Sequence, residues 1–223
     1  MEAQLELSGA HLRAEDLHRI AVLDDVAISP DGRLVAATVR TADIDANLYR
    51  SAISIFPVDG STSWPLTAGT TKDWAPSWSP SGTRLAFLSD RGGSTQVWVI
   101  GIHGEARQLT TFPDGVSERP VWSPDGRHLA VVSWQQNDAV SGDDAMASDA
   151  DASIAVITRT CYRIDGQGYV GNRRHHIWIV DSETGLTRQV TDGETDNYEP
   201  AWSPTGDRIV FVSNRVDDQI IDF

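Results

Sequence analysis

The stretch PVWSPDGRHLAV, residues 120–131, is repeated with small changes elsewhere in the same chain. PSWSPSGTRLAF occupies 76–87 and PAWSPTGDRIVF occupies 200–211. A shorter copy, ISPDGRLVAA, occupies 28–37. Because a recurring segment of this kind is typical of repeat architectures, the chain is expected to be built from several copies of one structural unit.

Each copy reads as a tight turn followed by a buried strand. Proline presets the backbone angle of the turn, and glycine closes it where a side chain would clash. The residues after the glycine are apolar at successive positions, and successive strand residues point to opposite faces. A strand that is apolar on both faces must be covered on both. The neighbouring repeat is the simplest cover, which predicts β-propeller blades.

A second recurring piece completes the unit. QVWVIGIHGEARQLT (96–110) and HIWIVDSETGLTRQVT (176–191) read as strand, turn and strand, and residues 52–67 form a weaker copy. The sequence therefore predicts an all-β chain of three to four four-stranded blades, with a period of roughly 40–50 residues. We interpret five tryptophans as contacts between blades rather than as ligand-binding residues: Trp78, Trp98, Trp122, Trp178 and Trp202.

Two segments depart from the repeat. In residues 1–25, Leu17, Ile20 and Ala21 recur at helical spacing behind acidic residues, which predicts a short N-terminal helical segment. Residues 135–175 are predicted to be an insertion, with an acidic loop at 135–153 and a projecting hairpin beyond it.

Composition narrows the classes of partner. The formal net charge is −14, so nucleic acid and anionic membrane surfaces are not expected partners. The single cysteine, Cys161, excludes an intrachain disulfide. The N-terminus does not resemble a secretory signal and no run of 18 apolar residues occurs, so a cytoplasmic location is expected.

The chain shows no catalytic constellation. Gly166, Gly168 and Gly171 spell G-x-G-x-x-G, but a strand-like segment rather than a helix follows, so a hairpin is the better interpretation. His175 and His176 are neighbours on a predicted strand, where they would face opposite sides and could not share a metal. The sequence predicts no catalytic residue, no metal site and no cofactor.

Two long segments resemble one peptidase family. EDLHRIAVLDDVAISPDGRLVA (15–36) and the stretch from RTCYRIDGQGYV to VFVSNR (159–215) resemble the propeller of prolyl oligopeptidase family serine peptidases, in particular the acylaminoacyl-peptidase branch. The shorter W-S-P-D-G motifs are also similar to those of TolB-like propellers. The resemblance implies a roughly seven-bladed propeller that caps an α/β-hydrolase domain and admits peptides to it. Residues 1–223 would then be a partial propeller without the hydrolase domain, and this chain alone would not be an enzyme.

Two functions follow as hypotheses. The chain is either the non-catalytic propeller portion of such a peptidase, which gates or selects peptide substrates, or a stand-alone TolB-like scaffold that binds proteins. The candidate substrate-binding residues are Arg163, Asp165 and Tyr169 of the projecting hairpin, for which an ordinary turn with a packed tyrosine is the structural alternative. An arc of three or four blades would leave one blade face uncovered, so the expected partners are a peptide, a hydrolase domain or a second copy of the chain.

Overall fold

A computed structural model describes residues 16, 19–136, 163–164, 168–169 and 173–214. The chain divides into two compact units, Met1–Pro76 and Ser77–Phe223. The all-β prediction is confirmed, because nearly all regular structure in the described residues is strand. The predicted helical segment 1–25 lies mostly outside the described residues, and its last four residues belong to a strand that begins at Val22. No helix in the described part is long and apolar enough to cross a membrane.

The first unit contains one antiparallel sheet, which we call blade 1. Its strands are β1 (Val22–Ile28), β2 (Leu34–Asp43), β3 (Leu48–Pro57) and β4 (Trp64–Pro65), in that spatial order. The β2–β3 hairpin keeps one register over its full length.

The second sheet, blade 2, has the same order of strands. It comprises β5 (Asp73–Trp78), β6 (Arg84–Ser89), β7 (Gln96–Gly101) and β8 (Arg107–Gln108). The boundary between the two compact units falls within β5.

Blade 3 interrupts this pattern with an insertion. Its strands are β9 (Val121–Trp122), β10 (His128–Gln136), β13 (Arg173–Asp181) and β14 (Thr187–Gln189). Between β10 and β13 lies a separate two-stranded sheet of β11 (Arg163–Ile164) and β12 (Gly168–Tyr169). Blade 4 is described as two strands, β15 (Asn197–Trp202) and β16 (Ile209–Ser213). The three four-stranded sheets and the two strands of blade 4 agree with the predicted three to four blades.

The serine and glycine of the repeated turn have the same role in every blade. In blade 3, the Gly126 amide donates to the Ser123 carbonyl at 2.9 Å. The Ser123 hydroxyl accepts the His128 amide at 3.0 Å, five residues further on. The same two bonds form at Ser29, Ser79 and Ser203. All four turn glycines have φ between +70° and +75°, a region that strongly favours glycine.

The recurrent threonines close the outer hairpin of blades 1, 2 and 3. The Thr110 hydroxyl accepts the Val97 amide at 2.9 Å, and Thr191 does the same for Ile177. Thr67 accepts the Ile53 amide at 3.0 Å in blade 1. A side-chain acceptor thus satisfies a buried backbone donor at the point where the outermost strand ends, which is the physical reason for the repeated Leu-Thr and Val-Thr pairs.

Adjacent blades of the second unit contact each other through the predicted tryptophans. The Trp122 indole N–H donates to the Ser77 carbonyl at 3.0 Å. The Trp202 indole repeats this bond to the Val121 carbonyl, also at 3.0 Å. Trp178 packs edge-on against Phe112 at 5.2 Å. The interpretation of Trp122, Trp178 and Trp202 as contacts between blades is confirmed.

Candidate functional site

The sequence-predicted site residues lie on the inserted hairpin. Its backbone pairs Arg163 with Tyr169 and Ile164 with Gly168. This arrangement agrees with the hairpin interpretation of the G-x-G-x-x-G segment. The turn residue Asp165 lies outside the described residues. The structure therefore brings the backbones of Arg163 and Tyr169 together, while the contribution of Asp165 stays a prediction.

The hairpin belongs to a long extension of blade 3. Strands β10 and β13 pair without a register shift from His128 opposite Asp181 to Gln136 opposite Arg173. The insertion therefore begins and ends at two directly opposed residues at the tip of a continuous ladder. The ladder extends into the 135–175 range at both ends, so the interval between its strands is 137–172.

A histidine in tilted contact with two aromatic rings marks the base of this insertion. The His175 ring lies 3.6 Å from the Trp134 ring and 4.6 Å from the Tyr198 ring, measured between centroids. Trp134 and His175 are opposed residues on β10 and β13, whereas Tyr198 lies on β15. These ring contacts therefore join blade 3 to blade 4 next to the insertion.

An aspartate holds the same histidine in place. Asp196 Oδ1 lies 3.2 Å from His175 Nδ1 and accepts the His175 backbone amide at 2.9 Å. Burial alone would raise the pKa of Asp196, but these two bonds from His175 outweigh it and lower the pKa below its ordinary value. The ionised carboxylate is thus stabilised where blades 3 and 4 meet.

His176, the neighbouring histidine, points to a different set of partners. Its Nδ1 lies 3.4 Å from the Thr191 hydroxyl and 3.3 Å from the Asn197 amide nitrogen. Burial lowers the pKa of His176 and favours its neutral form. The two histidines face different neighbours, as the strand alternation predicted, and His176 forms part of the blade 3 hairpin closure.

The Glu118 carboxylate caps a backbone amide within β15. The Glu199 amide donates to Glu118 Oε2 at 2.8 Å, and Glu199 adopts a left-handed φ of +51° at a β-bulge. Burial raises the pKa of Glu118, and the charge of Glu199 adds to the shift. A related bond forms in the first unit, where the Ala75 amide donates to Asp25 Oδ2 at 3.4 Å, again at a left-handed residue. Acidic side chains therefore cap the backbone amides of these two left-handed residues.

Arg173 lies on the last rung of the ladder before the insertion. Its guanidinium forms an ion pair with Asp114 at 3.3 Å and lies 5.4 Å from the centre of the Trp134 ring. The ion pair links the insertion root to the loop that leads out of blade 2, and the cation–π contact joins β13 to β10 within blade 3. Arg173, Trp134, His175, Asp196 and Tyr198 form what we call the root cluster.

The root cluster is better suited to positioning and recognition than to catalysis. Its members are aromatic, cationic and anionic side chains already bonded to each other across two blades. Among the described residues, no group of three or more His, Cys, Asp or Glu side chains is placed to hold a metal ion. The sequence had singled out His175 only to reject a metal site shared with His176. Its contact with Asp196 spans 21 residues and depends on how two blades pack, which no local pattern encodes.

A separate groove lies between blades 3 and 4, farther from the insertion. It has a volume of about 440 Å³ and runs between strands β13 and β14 of blade 3 and the turn of blade 4. Ile179, Leu186, Val190 and Trp202 supply its apolar surface. Charged residues at its edge include Asp181, Arg188 and Arg208.

Comparison with known proteins identifies the repeats. The family model described as the TolB beta propeller domain matches residues 22–162. The uncharacterized peptidase YuxL of Bacillus subtilis (strain 168) is 33% identical over 207 residues, covering 91% of this chain and 31% of that protein. Dipeptidyl-peptidase 5 of Porphyromonas gingivalis is 32% identical over 223 residues, covering 93% of this chain and 32% of that protein. The chain thus spans about a third of the length of these relatives.

The fold is also found in a solved peptidase structure. The acylaminoacyl peptidase of Pyrococcus horikoshii superposes on 91% of this chain, and on 29% of its own, with a TM-score of 0.66. The sequence identity there is 20%, so the likeness shows the architecture.

Proposed function

Because the chain belongs to the family of TolB β-propeller domains, we propose that it is the non-catalytic propeller portion of a serine peptidase and selects the peptides that reach a hydrolase domain. One observation carries this proposal: identity of 32–33% to two peptidases extends over more than nine-tenths of the chain. The aligned stretch therefore runs across the insertion and is not confined to the W-S-P-D-G turns.

The inserted hairpin is the element that we assign to peptide selection. A guanidinium, a carboxylate and a phenol at Arg163, Asp165 and Tyr169 offer partners for the charged ends, amides and side chains of a peptide. Binding elements must be held rigidly to discriminate between ligands. The root cluster supports this role, because its ion pairs and ring contacts anchor the strands from which the insertion emerges.

The first test measures the activity of the chain alone and inspects the reading frame that encodes it. The chain alone should not hydrolyse a chromogenic acyl-amino-acid substrate, because the described residues contain no catalytic constellation. Serine-inhibitor-sensitive turnover by the chain alone would contradict the assignment. A G-x-S-x-G motif about two hundred or more residues downstream in the same reading frame would support it.

The second test concerns the hairpin in the complete product of that reading frame. Unstructured peptides should be cleaved, and the same sequences within folded proteins should resist. Replacing Arg163 and Tyr169 together by alanine should raise KM for peptides several-fold and leave kcat unchanged, since the hairpin would act in binding. Arg127→Ala is the matched control, because Arg127 is 81% exposed on a blade 3 turn. Equal KM for both variants would contradict the hairpin assignment.

A stand-alone scaffold is the second candidate. It is favoured by the family model itself, which is that of TolB and matches residues 22–162. For this function the reading frame should contain no downstream hydrolase motif. The chain should then bind a folded protein partner and show no preference for unstructured peptides.

A further inference from the structure

Blades 2 and 3 differ in one buried side chain beside the threonine that closes each outer hairpin. Blade 2 has Gln96 and blade 3 has His176, and each is only 3% exposed. Each directly precedes the residue whose amide the closing threonine accepts. The two side chains therefore occupy equivalent positions, but a histidine changes charge with pH and a glutamine does not.

Gln96 closes blade 2 with one acceptor atom and one donor atom. Its Oε1 accepts the Thr110 hydroxyl at 2.8 Å and the Phe112 amide at 3.0 Å. Its Nε2 donates to the Phe112 carbonyl at 2.7 Å. This pair of atoms ties the closing threonine and the residue two positions beyond it to the start of β7.

His176 supplies the same two functions in blade 3 only while it is neutral. Its Nδ1 lies 3.4 Å from the Thr191 hydroxyl and 3.3 Å from Asn197 Nδ2. Because an amide nitrogen only donates, Nδ1 is the acceptor and Nε2 carries the hydrogen. A backbone hydrogen bond joins the ring to Gly193, two positions beyond the closing threonine. An imidazolium has no acceptor atom, so it cannot receive the bonds from Thr191 or Asn197.

The segment that His176 holds also connects blade 3 to blade 4. We call residues 191–197 the linking segment, and β15 begins at its last residue. Within it, Asp196 accepts the His175 amide at 2.9 Å and lies 3.2 Å from His175 Nδ1. The Glu194 carbonyl accepts Arg174 Nε at 2.7 Å. Release of the linking segment would therefore also break contacts at the root of the insertion.

We propose that His176 is an acid-sensitive latch. Protonation of its ring releases the linking segment from β13 and so loosens the root of the insertion, whereas blade 2, closed by Gln96, does not respond. The latch acts on the residues that anchor the insertion, whatever the insertion binds, so the proposal is independent of the peptidase assignment.

The charges around His176 determine the direction of the response. Burial lowers the pKa of His176, and the charge of His175 adds to this shift. Asp196, Asp192 and the bond to Gly193 act in the opposite sense but do not outweigh burial. The folded chain therefore binds this proton less readily than the opened segment does. Opening is favoured as pH falls below the ordinary histidine pKa of about 6.5.

Other groups beside this position do not reverse that direction. Arg174, two residues earlier on the same face of β13, adds positive charge, whereas Ser133, opposite His176 on β10, is uncharged. Glu118 interacts with the charge of His175, and burial raises its pKa. A carboxyl group with a raised pKa contributes stability at low pH that is lost as pH rises, so Glu118 cannot cause loosening on acidification.

Hydrogen exchange of single backbone amides, followed by NMR on the chain, tests the latch. The reporters in blade 3 are the amides of His175 and Ile177, which donate to side chains of the linking segment. After correction for the intrinsic effect of pH on exchange, both should lose protection between pH 7 and pH 5. The loss is at most about 30-fold, the limit set by an ordinary histidine pKa in the opened segment. Val97, the equivalent reporter in blade 2, should keep its protection.

Reciprocal variants separate the latch from general destabilisation by acid. His176→Gln supplies the side chain that blade 2 uses, so it should keep the protection at pH 7 and remove the difference between pH 7 and pH 5. Gln96→His should transfer the response to the Val97 amide. His103→Gln, at an exposed histidine on a blade 2 turn, is the control and should leave the response of blade 3 unchanged.

The ring nitrogens of His176 give a second readout, which needs no variant to fold. Their chemical shifts at pH 7 should show the hydrogen on Nε2, and they should titrate together with the loss of protection. A hydrogen on Nδ1 at pH 7 would overturn the proposal, as would blade 3 reporters that keep their protection at pH 5. It is also overturned by an undiminished response in His176→Gln, or by a folded Gln96→His chain whose Val97 amide does not respond.

Discussion

Blades 2 and 3 have the same framework but differ where their second and third strands connect. Both have the serine-proline turn, the buried second strand and the threonine that closes the outer hairpin. In blade 2, residues 90–95 join β6 to β7, whereas in blade 3 residues 137–172 separate β10 from β13. The root cluster occurs at this longer connection. The comparison indicates that the core of a blade forms in the same way whatever the length of the connection between its second and third strands. That connection can therefore vary and carry function.

The largest expected effect tests the shared core. Leu85 and Leu129 occupy equivalent positions six residues after the turn serine, and both are 0% exposed. Either change to alanine should lower the free energy of unfolding by about 2–5 kcal/mol, because it removes buried methyl groups and leaves a cavity. Denaturant unfolding of the two variants measures the effect. Val58→Ala, at an exposed site, should change stability by less than about 0.5 kcal/mol. A large effect in one blade and none in the other would refute the equivalence.

The next effect should be found in blade 3 only. Asp196→Asn removes the charge that accepts two bonds from His175 and should cost about 1–2 kcal/mol at pH 7. The pKa of Asp196 is lowered in the folded state, so its contribution is complete above the ordinary carboxyl pKa of about 3.9 and is lost as pH falls through the lowered value. The difference from the unmodified chain should therefore vanish in strong acid. Asp114→Asn, at a more exposed ion pair, should cost less.

The tryptophan bonds should give two equal, smaller effects. Trp122→Phe and Trp202→Phe retain most of the ring but remove the N–H donated to a carbonyl of the preceding blade. Each should cost about 1 kcal/mol in thermal or denaturant unfolding. A much larger loss at Trp202 than at Trp122 would show that blade 4 depends on this contact more than blade 3 does.

Replacing His176 by glutamine compares equivalent positions of blades 2 and 3. Gln96 in blade 2 bonds the hairpin-closing Thr110, and His176 lies at the matching position beside Thr191. The pKa of His176 is lowered by burial, so the unfolded chain binds the proton more readily. Stability from this group is complete above the ordinary histidine pKa of about 6.5 and decreases as pH falls below it. His176→Gln should therefore reduce the loss of stability between pH 7 and pH 5, measured by denaturant titration at each pH.

The smallest effect on stability is expected from the insertion itself. Replacing residues 137–172 by the blade 2 connection, DRGGST, should change the thermal midpoint by only a few degrees. The β10–β13 ladder ends at the opposed residues Gln136 and Arg173, so a short loop can connect the two strands. The entropic cost of closing a loop depends only weakly on loop length, so the shorter connection should change stability little. Unfolding of blade 3 in this variant would show that the insertion is part of the framework.

Much of the fold could be predicted because its signals are local. A Ser-Pro-x-Gly turn determines the backbone over a few residues, and the apolar run after it requires cover on both faces. The hairpin backbone at Arg163 and Tyr169 followed from glycine spacing in the same way. The His175–Asp196 contact could not be predicted, because its partners come from different blades. The left-handed Ala75 and Glu199 also escaped prediction, since neither residue type favours that conformation.

The sequence alone therefore determined the repeating unit: its turns, its buried strands and the tryptophans and threonines that recur in it. Each of these depends on interactions within a few residues or on the simple alternation of a strand. Only the tertiary structure decided which carbonyls Trp122 and Trp202 bond, which carboxylates cap the left-handed Ala75 and Glu199, and that the root cluster assembles below the insertion. Those contacts depend on how one blade packs on the next. That packing is set by the combined surfaces of two sheets and by no single segment of the chain.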